Sequence, residues 1–290
     1  MRTVRTASEL ERRPRAVAIG TFDGVHLGHR RALEAALSAE PALAPTVVTF
    51  DPHPRTALGN KVELLTTLER RLELIAEMGF DDTLVIEFDL EVARLAPEAF
   101  AAIVLHPIGA EIVVAGEDFR FGHSRSGDLA LLERLGFEVR RVPLLADVSS
   151  SEIRRLLADG EVVDAARLLG RPPEVEGIVV AGDARGGTLG FPTANLGVPP
   201  ELLVPRYGIY AGAAKGKRAA ISIGTNPHYG GHERRVEAHL LDYAGDLYGR
   251  RLIVQLWERL RDEQAFASEA ELVAQIGRDV DAVRLAEPPG

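Results

Sequence analysis

The sequence predicts a two-part α/β protein, with a doubly wound parallel α/β domain over residues 1–172 and a small antiparallel β-barrel with a closing helix over residues 173–290. Three observations carry that prediction. Up to Leu169, short β-branched runs alternate with stretches of helical spacing, the βαβα order of a parallel sheet. GRPPEVEG, starting at Gly170, then breaks the pattern, because Pro172 and Pro173 cannot continue a helix. Beyond it, closely spaced strand patterns are separated by glycine-rich turns, as in a small barrel.

In the first part, the strand patterns are Ala16 to Ile19, Thr46 to Phe50, Thr83 to Ile86, Glu111 to Ala115 and Glu138 to Val142. Helical spacing falls between them, at Thr67 to Met78, Pro97 to Val104 and Leu129 to Leu135, and two further helices follow at Ser151 to Asp159 and Val162 to Leu169. In the second part, Val175 to Val180, Gly208 to Ala214, Arg218 to Ile223, Arg234 to Leu241 and Arg251 to Trp257 read as strands. Ser268 to Arg284 carries Leu272, Ile276, Val280 and Val283 at helical spacing, with Ser268 as its cap.

Composition agrees with two ordinary domains. A chain of 290 residues is long enough for each to bury its own core, and 46% hydrophobic with 27% charged residues gives no sign of disorder. The lack of cysteine excludes disulfides, thiolate zinc sites and cysteine nucleophiles, so any metal is held by oxygen or imidazole. Met1 to Arg15 lacks the apolar core of a signal peptide, and no apolar run approaches the ~18 residues of a membrane span. The cytoplasm is therefore the expected location, with no membrane partner. A formal charge of −9 argues against a nucleic acid partner, because such binding draws on excess cations. A small phosphorylated substrate needs only local ones. The oligomeric state is not legible.

The first half is arranged around GTFDGVHLGH, Gly20 to His29, which joins a strand to a helix. Gly20, Gly24 and Gly28 let the backbone pass close to a ligand, and the helix start offers unpaired N–H groups and partial positive charge to an anion. Phe22 and Asp23 lie inside the same turn. His26 and His29, three apart, share one face of the first helical turn. TFDPHP presents His53 on a proline-stiffened turn after the second strand pattern. GEDFRFG, Gly116 to Gly122, follows the fourth, where Phe119 or Phe121 could wall a flat pocket for a ring system and Asp118 could contact ribose or base. In VSSSEIRRLL, Ser149, Ser150 or Ser151 can cap a helix, and Arg154 makes the same start a candidate phosphate site.

The second half centres on GDARGGTLGFPTANL, where a glycine-rich loop from Gly182 to Gly190 could wrap phosphates. In PTAN, Pro192 fixes the backbone. Thr193 and Asn195, two apart, point to one side if extended and offer hard oxygens suited to Mg²⁺.

HLGH resembles the HxGH signature of the nucleotidyltransferase superfamily, and VSSSEIR its SSTxIR element, with Ser151 where threonine is usual. Together with TFDPHP, GEDFRFG and LLGRPPEVEG these motifs resemble the FMN adenylyltransferase module of bacterial bifunctional riboflavin kinase/FAD synthetases. GTNPHYGG, RVEAHLLD, DLYGRRL and RLRDEQAF resemble the riboflavin kinase module, so the likeness covers nearly the whole chain. It implies that the second half phosphorylates riboflavin to FMN with ATP and Mg²⁺, and that the first transfers AMP from ATP to FMN, giving FAD and pyrophosphate. It also implies Mg–ATP at Thr193 and Asn195, Glu237 as the base for the riboflavin 5′-hydroxyl, and Arg261, Glu263 and Phe266 on the flavin side. Adenylyl transfer needs no strong base, because the attacking group is already a phosphate oxyanion; it needs alignment and neutralised charge, from His26, His29, backbone N–H groups, Arg154 and Mg²⁺. Two positions depart from the pattern, His228 and Gly187, and the second removes a frequent arginine. An active kinase with altered ATP affinity is the expectation. Two other readings stay open: a transferase with another phosphorylated acceptor, which the PTAN half argues against, and a catalytically silent flavin- or nucleotide-binding regulator, which the intact site residues argue against.

Overall fold

The computed structural model describes residues 1–182, 190–225 and 234–289. The chain falls into two compact units, Met1–Ser149 and Ser150–Gly290.

The first unit holds a six-stranded, wholly parallel sheet in the order β1-β4-β3-β2-β5-β6. Its strands are β1 (Arg2–Val4), β2 (Arg15–Ile19), β3 (Ala44–Asp51), β4 (Asp82–Glu87), β5 (Ala110–Gly116) and β6 (Glu138–Val142). Alternate residues serve opposite faces, as a two-residue period requires. Ala16, Ala18, Val47, Ile112 and Val114 pack with the helices Leu27–Leu37 and Leu68–Glu77. Val17, Ile19, Val48, Phe50 and Val113 pack instead with Phe100, Leu105, Ile108 and Leu132. Both faces are covered, so the doubly wound reading holds. The two edge strands differ in their sequence signal: β1, three residues in a charged segment, carries no periodic signal, whereas β6 lies where the pattern places it. The expected helix at Pro97 is an α-turn, Pro97–Phe100, passing into a π-helical stretch, Ala101–Leu105.

The strand order matters for function. From β2 the chain runs outward through β3 and β4, then returns to place β5 on the other side of β2. Ligands of such sheets bind at the carboxyl ends of the strands where this reversal occurs, here β2 and β5. At the opposite end a buried ion pair ties the strands together. Arg15 Nη1 lies 2.6 Å from Asp82 Oδ2, and Arg13 adds a second contact at 2.8 Å.

The second unit is a closed six-stranded barrel, in the order β10-β11-β8-β7-β12-β9, with every pair antiparallel. The strands are β7 (Glu174–Val180), β8 (Ala194–Gly197), β9 (Gly208–Ala214), β10 (Lys217–Thr225), β11 (Arg234–Leu240) and β12 (Arg251–Arg261). Ala219, Ile221, Ile223, Val236, Ala238, Leu240, Val254 and Leu256 are buried at alternate positions and fill its interior. The closing helix, Glu269–Leu285, is capped by Ser268 and packs outside β9 and β10, where Trp257 and Val283 share a cluster. β8 lies across the barrel from β9, on which the helix packs.

The compact units divide between 149 and 150, earlier than the 172/173 junction expected from sequence. Packing explains the difference. The helices Ser150–Asp159 and Val162–Leu169 lie with the barrel: Arg206 N–H donates to the Leu157 carbonyl at 3.0 Å, and Val162–Leu169 rests on β12.

Candidate active sites

In the first unit, the turn after β2 is held in a strained conformation. Phe22 and Val25 adopt positive φ of 50° and 41°, a region that a bulky or β-branched residue avoids, and both are buried. Strain of this kind persists only where surroundings impose it. Asp23, 1% exposed, does so from one side: its Oδ1 accepts from Leu65 N–H at 2.9 Å and Thr66 N–H at 3.2 Å, while Gly24 N–H donates to Thr66 Oγ1 at 3.1 Å. Gly24, at φ +83°, has no room for a Cβ, which would meet Leu65 Cδ1 at 2.7 Å.

The histidines stand where this turn ends. His26 is the N-cap of Leu27–Leu37, and its Nδ1 accepts from His29 N–H at 3.2 Å. Neutral His26 therefore carries its proton on Nε2. The two imidazoles stack with centroids 3.6 Å apart, and the Phe22 ring meets His29 edge-on at 5.4 Å. Two of the glycines are explained by these rings. A Cβ at Gly28 would come within 3.2 Å of the His26 ring, and one at Gly20 within 3.0 Å of Phe22.

Neighbouring strand ends carry the other expected residues. His53, after β3, caps Pro54–Ala57 and accepts from Arg55 N–H at 3.1 Å. After β5, Asp118 is exposed, and Phe119 lies over Phe121 with near-parallel rings 5.7 Å apart. Phe121 is 7% exposed and packs on Phe100, which accounts for it as a core residue; Phe119, half-buried, is the ring left nearer the surface. Ser149 precedes the helix Ser150–Asp159, so Ser150, Ser151 and half-buried Arg154 lie in its first turns, in the second compact unit.

One residue of this region went unread in the sequence. Arg71, 1% exposed, sends Nη1 to the carbonyls of Thr21 at 2.9 Å and Phe50 at 3.1 Å, so one guanidinium ties the turn after β2 to the end of β3. Burial lowers its pKa, and the charges of Asp23 and Asp51 work against that. The signal was available: Arg71 stands on the apolar stripe of its helix, three and four residues before buried Leu74 and Ile75.

The barrel builds its site on strands rather than loops. Along β11 the even-numbered Val236, Ala238 and Leu240 point inward, so Arg235, Glu237 and His239 form a row on the outer face. Asn195 on β8 is the register partner of Glu237. Arg235 Nε lies 2.6 Å from Glu237 Oε1 and 3.0 Å from Asn195 Oδ1, and so draws the expected base and the expected metal ligand together. His239 Nδ1–H donates to the Pro192 carbonyl at 2.8 Å and meets Phe191 edge-on. Thr193, half-buried, lies just before β8, two residues from Asn195. Gly182 is pressed onto Asn195, where a Cβ would be 2.2 Å from Nδ2; Gly190, at φ +87°, opens the chain into PTAN. Gly186, Gly187 and His228 lie outside the described residues.

The flavin-side candidates stand at the end of β12 and just beyond it. Glu263 lays its carboxylate on Gly224, where no Cβ could fit, and this partial burial raises its pKa, Arg261 offsetting part of the effect. Arg261 is itself fastened to Asp279 of the closing helix, at 2.7 Å and 3.0 Å, a pair that accounts for it without a ligand. Among the described residues no three His, Asp or Glu side chains converge as a metal cage, and no helix is long and apolar enough to cross a membrane.

Two family models match the chain, FAD synthetase over residues 8–154 and riboflavin kinase over 169–286. Bifunctional riboflavin kinase/FMN adenylyltransferases of Listeria monocytogenes and Escherichia coli are 35% and 36% identical to it, covering 91% and 96% of this chain and 90% and 96% of their own. The chain belongs to the bifunctional riboflavin kinase/FMN adenylyltransferase family. It is thus an enzyme of flavin cofactor synthesis, with the adenylyltransferase in the parallel half and the kinase in the barrel. A crystal structure described as a macrolide-efflux protein from Streptococcus pneumoniae shares the fold across 97% of this chain and 98% of its own, with a TM-score of 0.87 and 31% identity. The adenylyltransferase match ends at Arg154, so it takes in VSSSEIR, while the kinase match takes in PTAN and Glu237.

Proposed function

We propose that the barrel transfers the γ-phosphoryl group of Mg–ATP to the 5′-hydroxyl of riboflavin, and that the parallel half joins AMP from a second ATP to FMN. The functional modules are residues 1–172 and 173–290, and the site is expected in the cytoplasm, where ATP is supplied. The observation that carries the kinase reading is the convergence of Glu237 and Asn195 on Arg235 Nε, on the outer face of β8 and β11. A hydroxyl needs a proton acceptor that a phosphate does not, and Glu237 is the carboxylate set to take it.

The donor chemistry fits Mg²⁺. A threonine hydroxyl and an amide oxygen are hard ligands, and Mg²⁺ is commonly held by few protein oxygens with the rest supplied by phosphates and water. Thr193 and Asn195 would hold it, and the ion would screen phosphate charge. Gly182, Gly190 and Pro192 set the backbone that carries the nucleotide. Glu263 and Arg261 are assigned to the flavin side on the likeness of RLRDEQAF alone.

In the parallel half, His26 and His29 act as hydrogen-bond donors to charge developing at the α-phosphate, His26 through Nε2–H. Gly20, Phe22, Asp23, Gly24 and Gly28 shape the turn whose N–H groups receive phosphate. His53, Ser149, Ser150, Ser151 and Arg154 add donors and charge, Asp118 meets the nucleotide, and Phe119, backed by Phe121, offers a flat face to the flavin. Incubating the protein with riboflavin, ATP and Mg²⁺ should yield both FMN and FAD by chromatography. FMN alone, when FMN is also supplied in excess, would remove the adenylyl-transfer assignment, and a protein inert toward riboflavin would remove the kinase one.

A further inference from the structure

The row Arg235–Glu237–His239 contains a cation, the first residue of RVEAHLLD, to which the proposed chemistry gives no role. Arg235 Nε donates to Asn195 Oδ1 at 3.0 Å and, in an ion pair, lies 2.6 Å from Glu237 Oε1. These are the two oxygens that the proposed reaction needs, one for the hydroxyl proton and one for the metal. With the side chains of Arg235 and Glu237 26% and 25% exposed, the pair is screened by water only in part. A guanidinium hydrogen-bonded to Asn195 Oδ1 takes up that oxygen and sets a like charge where a divalent cation would approach. The backbone offers no alternative placement for Asn195: Gly182 presses on its amide, and the register opposite Glu237 fixes its strand.

We propose that Arg235 is a placeholder cation of the kinase site. In the unloaded protein it holds Asn195 and Glu237 in their working positions, and it yields Asn195 when the metal–nucleotide arrives. Its flexible methylene stem, on the half-buried outer face of β11, allows that withdrawal without moving the strand. Arg235 is therefore a positioning residue, which sets the metal requirement of phosphoryl transfer rather than its chemistry. The inference rests on the kinase reading given above.

Replacing Arg235 removes the competitor for Asn195. Arg235→Met should lower the Mg²⁺ concentration needed for half-maximal FMN formation about tenfold, the effect of roughly one charge-assisted hydrogen bond, while kcat changes less. Arg235→Lys, which keeps the charge but loses the Nε–H, should fall between. A second readout is independent of turnover. The Arg235 Nε–H resonance in ¹H–¹⁵N spectra of the full chain, assigned by its loss in Arg235→Lys, should shift and exchange faster with Mg–ADP but not with ADP alone. An unchanged resonance with Mg–ADP, or an unchanged Mg²⁺ requirement in Arg235→Met, overturns the proposal. A raised requirement also overturns it, because the guanidinium would then be a ligand of the phosphates. A wild-type protein that makes no FMN while the resonance still responds to Mg–ADP would instead fail the kinase reading and leave Arg235 as a gate on nucleotide binding.

Discussion

In the parallel half the candidate groups stand on loops at strand ends, around a turn that Asp23 and Arg71 hold in a strained shape; in the barrel they stand on the strands themselves, fixed by register. The chemistry explains the contrast. FMN brings its own phosphate nucleophile, so its half needs neutral donors and N–H groups aimed at a charged centre, which a helix start supplies. Riboflavin brings a hydroxyl, so its half needs one carboxylate in a fixed place, which a β-ladder supplies because cross-strand partners share a face.

The sharpest way to break the comparison is to remove the proposed base. Glu237→Gln should lower the rate of FMN formation by about 10²- to 10⁴-fold and leave FMN-to-FAD conversion unchanged. Loss of both activities would show that the two halves do not work as separate chemistries. His29→Ala tests the other side, with FAD synthesis from supplied FMN falling about 10²- to 10³-fold and FMN formation retained. An unaltered FAD rate would take His29 out of the mechanism.

Arg71 separates scaffold from catalyst. Arg71→Met removes the guanidinium donor from the carbonyls of Thr21, which keeps only the Thr49 hydroxyl, and Phe50, and should cost about 3 kcal/mol in urea denaturation of the parallel unit, sparing FMN formation. Full stability in that variant would mean that the strained turn is held from elsewhere. The smallest effect lies at the other end of the sheet. Burial would raise the Asp82 pKa, but the hydrogen bonds from Arg15 and Arg13 outweigh it and hold the carboxyl below its usual 3.8. The unfolded chain then takes up this proton first as pH falls, so the stability contributed by the pair is present at neutral pH and lost below about pH 4. The gap in denaturation midpoint between wild type and Asp82→Asn should close over that range.

Much of this was legible in residues. The parallel order, the barrel, the closing helix capped by Ser268 and the family all follow from periodicity, turn glycines and motifs, because each is written in contiguous sequence. Strand β1 was not, since three residues in a charged segment have no period; β4 selects them by pairing. The roles of Arg71 and Arg235 were not read either: Arg71 is a charge on an apolar stripe, whereas Arg235 fits the polar alternation of its strand and so gives no local signal.

What the chain determined by itself was therefore the kind of chemistry: histidines at a helix start, hard oxygens in PTAN, a carboxylate in RVEAHLLD. What only the tertiary structure decided was which groups meet. Asn195 and Glu237 are 42 residues apart and Arg71 is 50 residues from Thr21, yet each pairing is set by an interaction of a few ångströms. Hydrogen bonds and ion pairs act over such distances alone, so their partners are chosen by the sheet and the barrel that carry them.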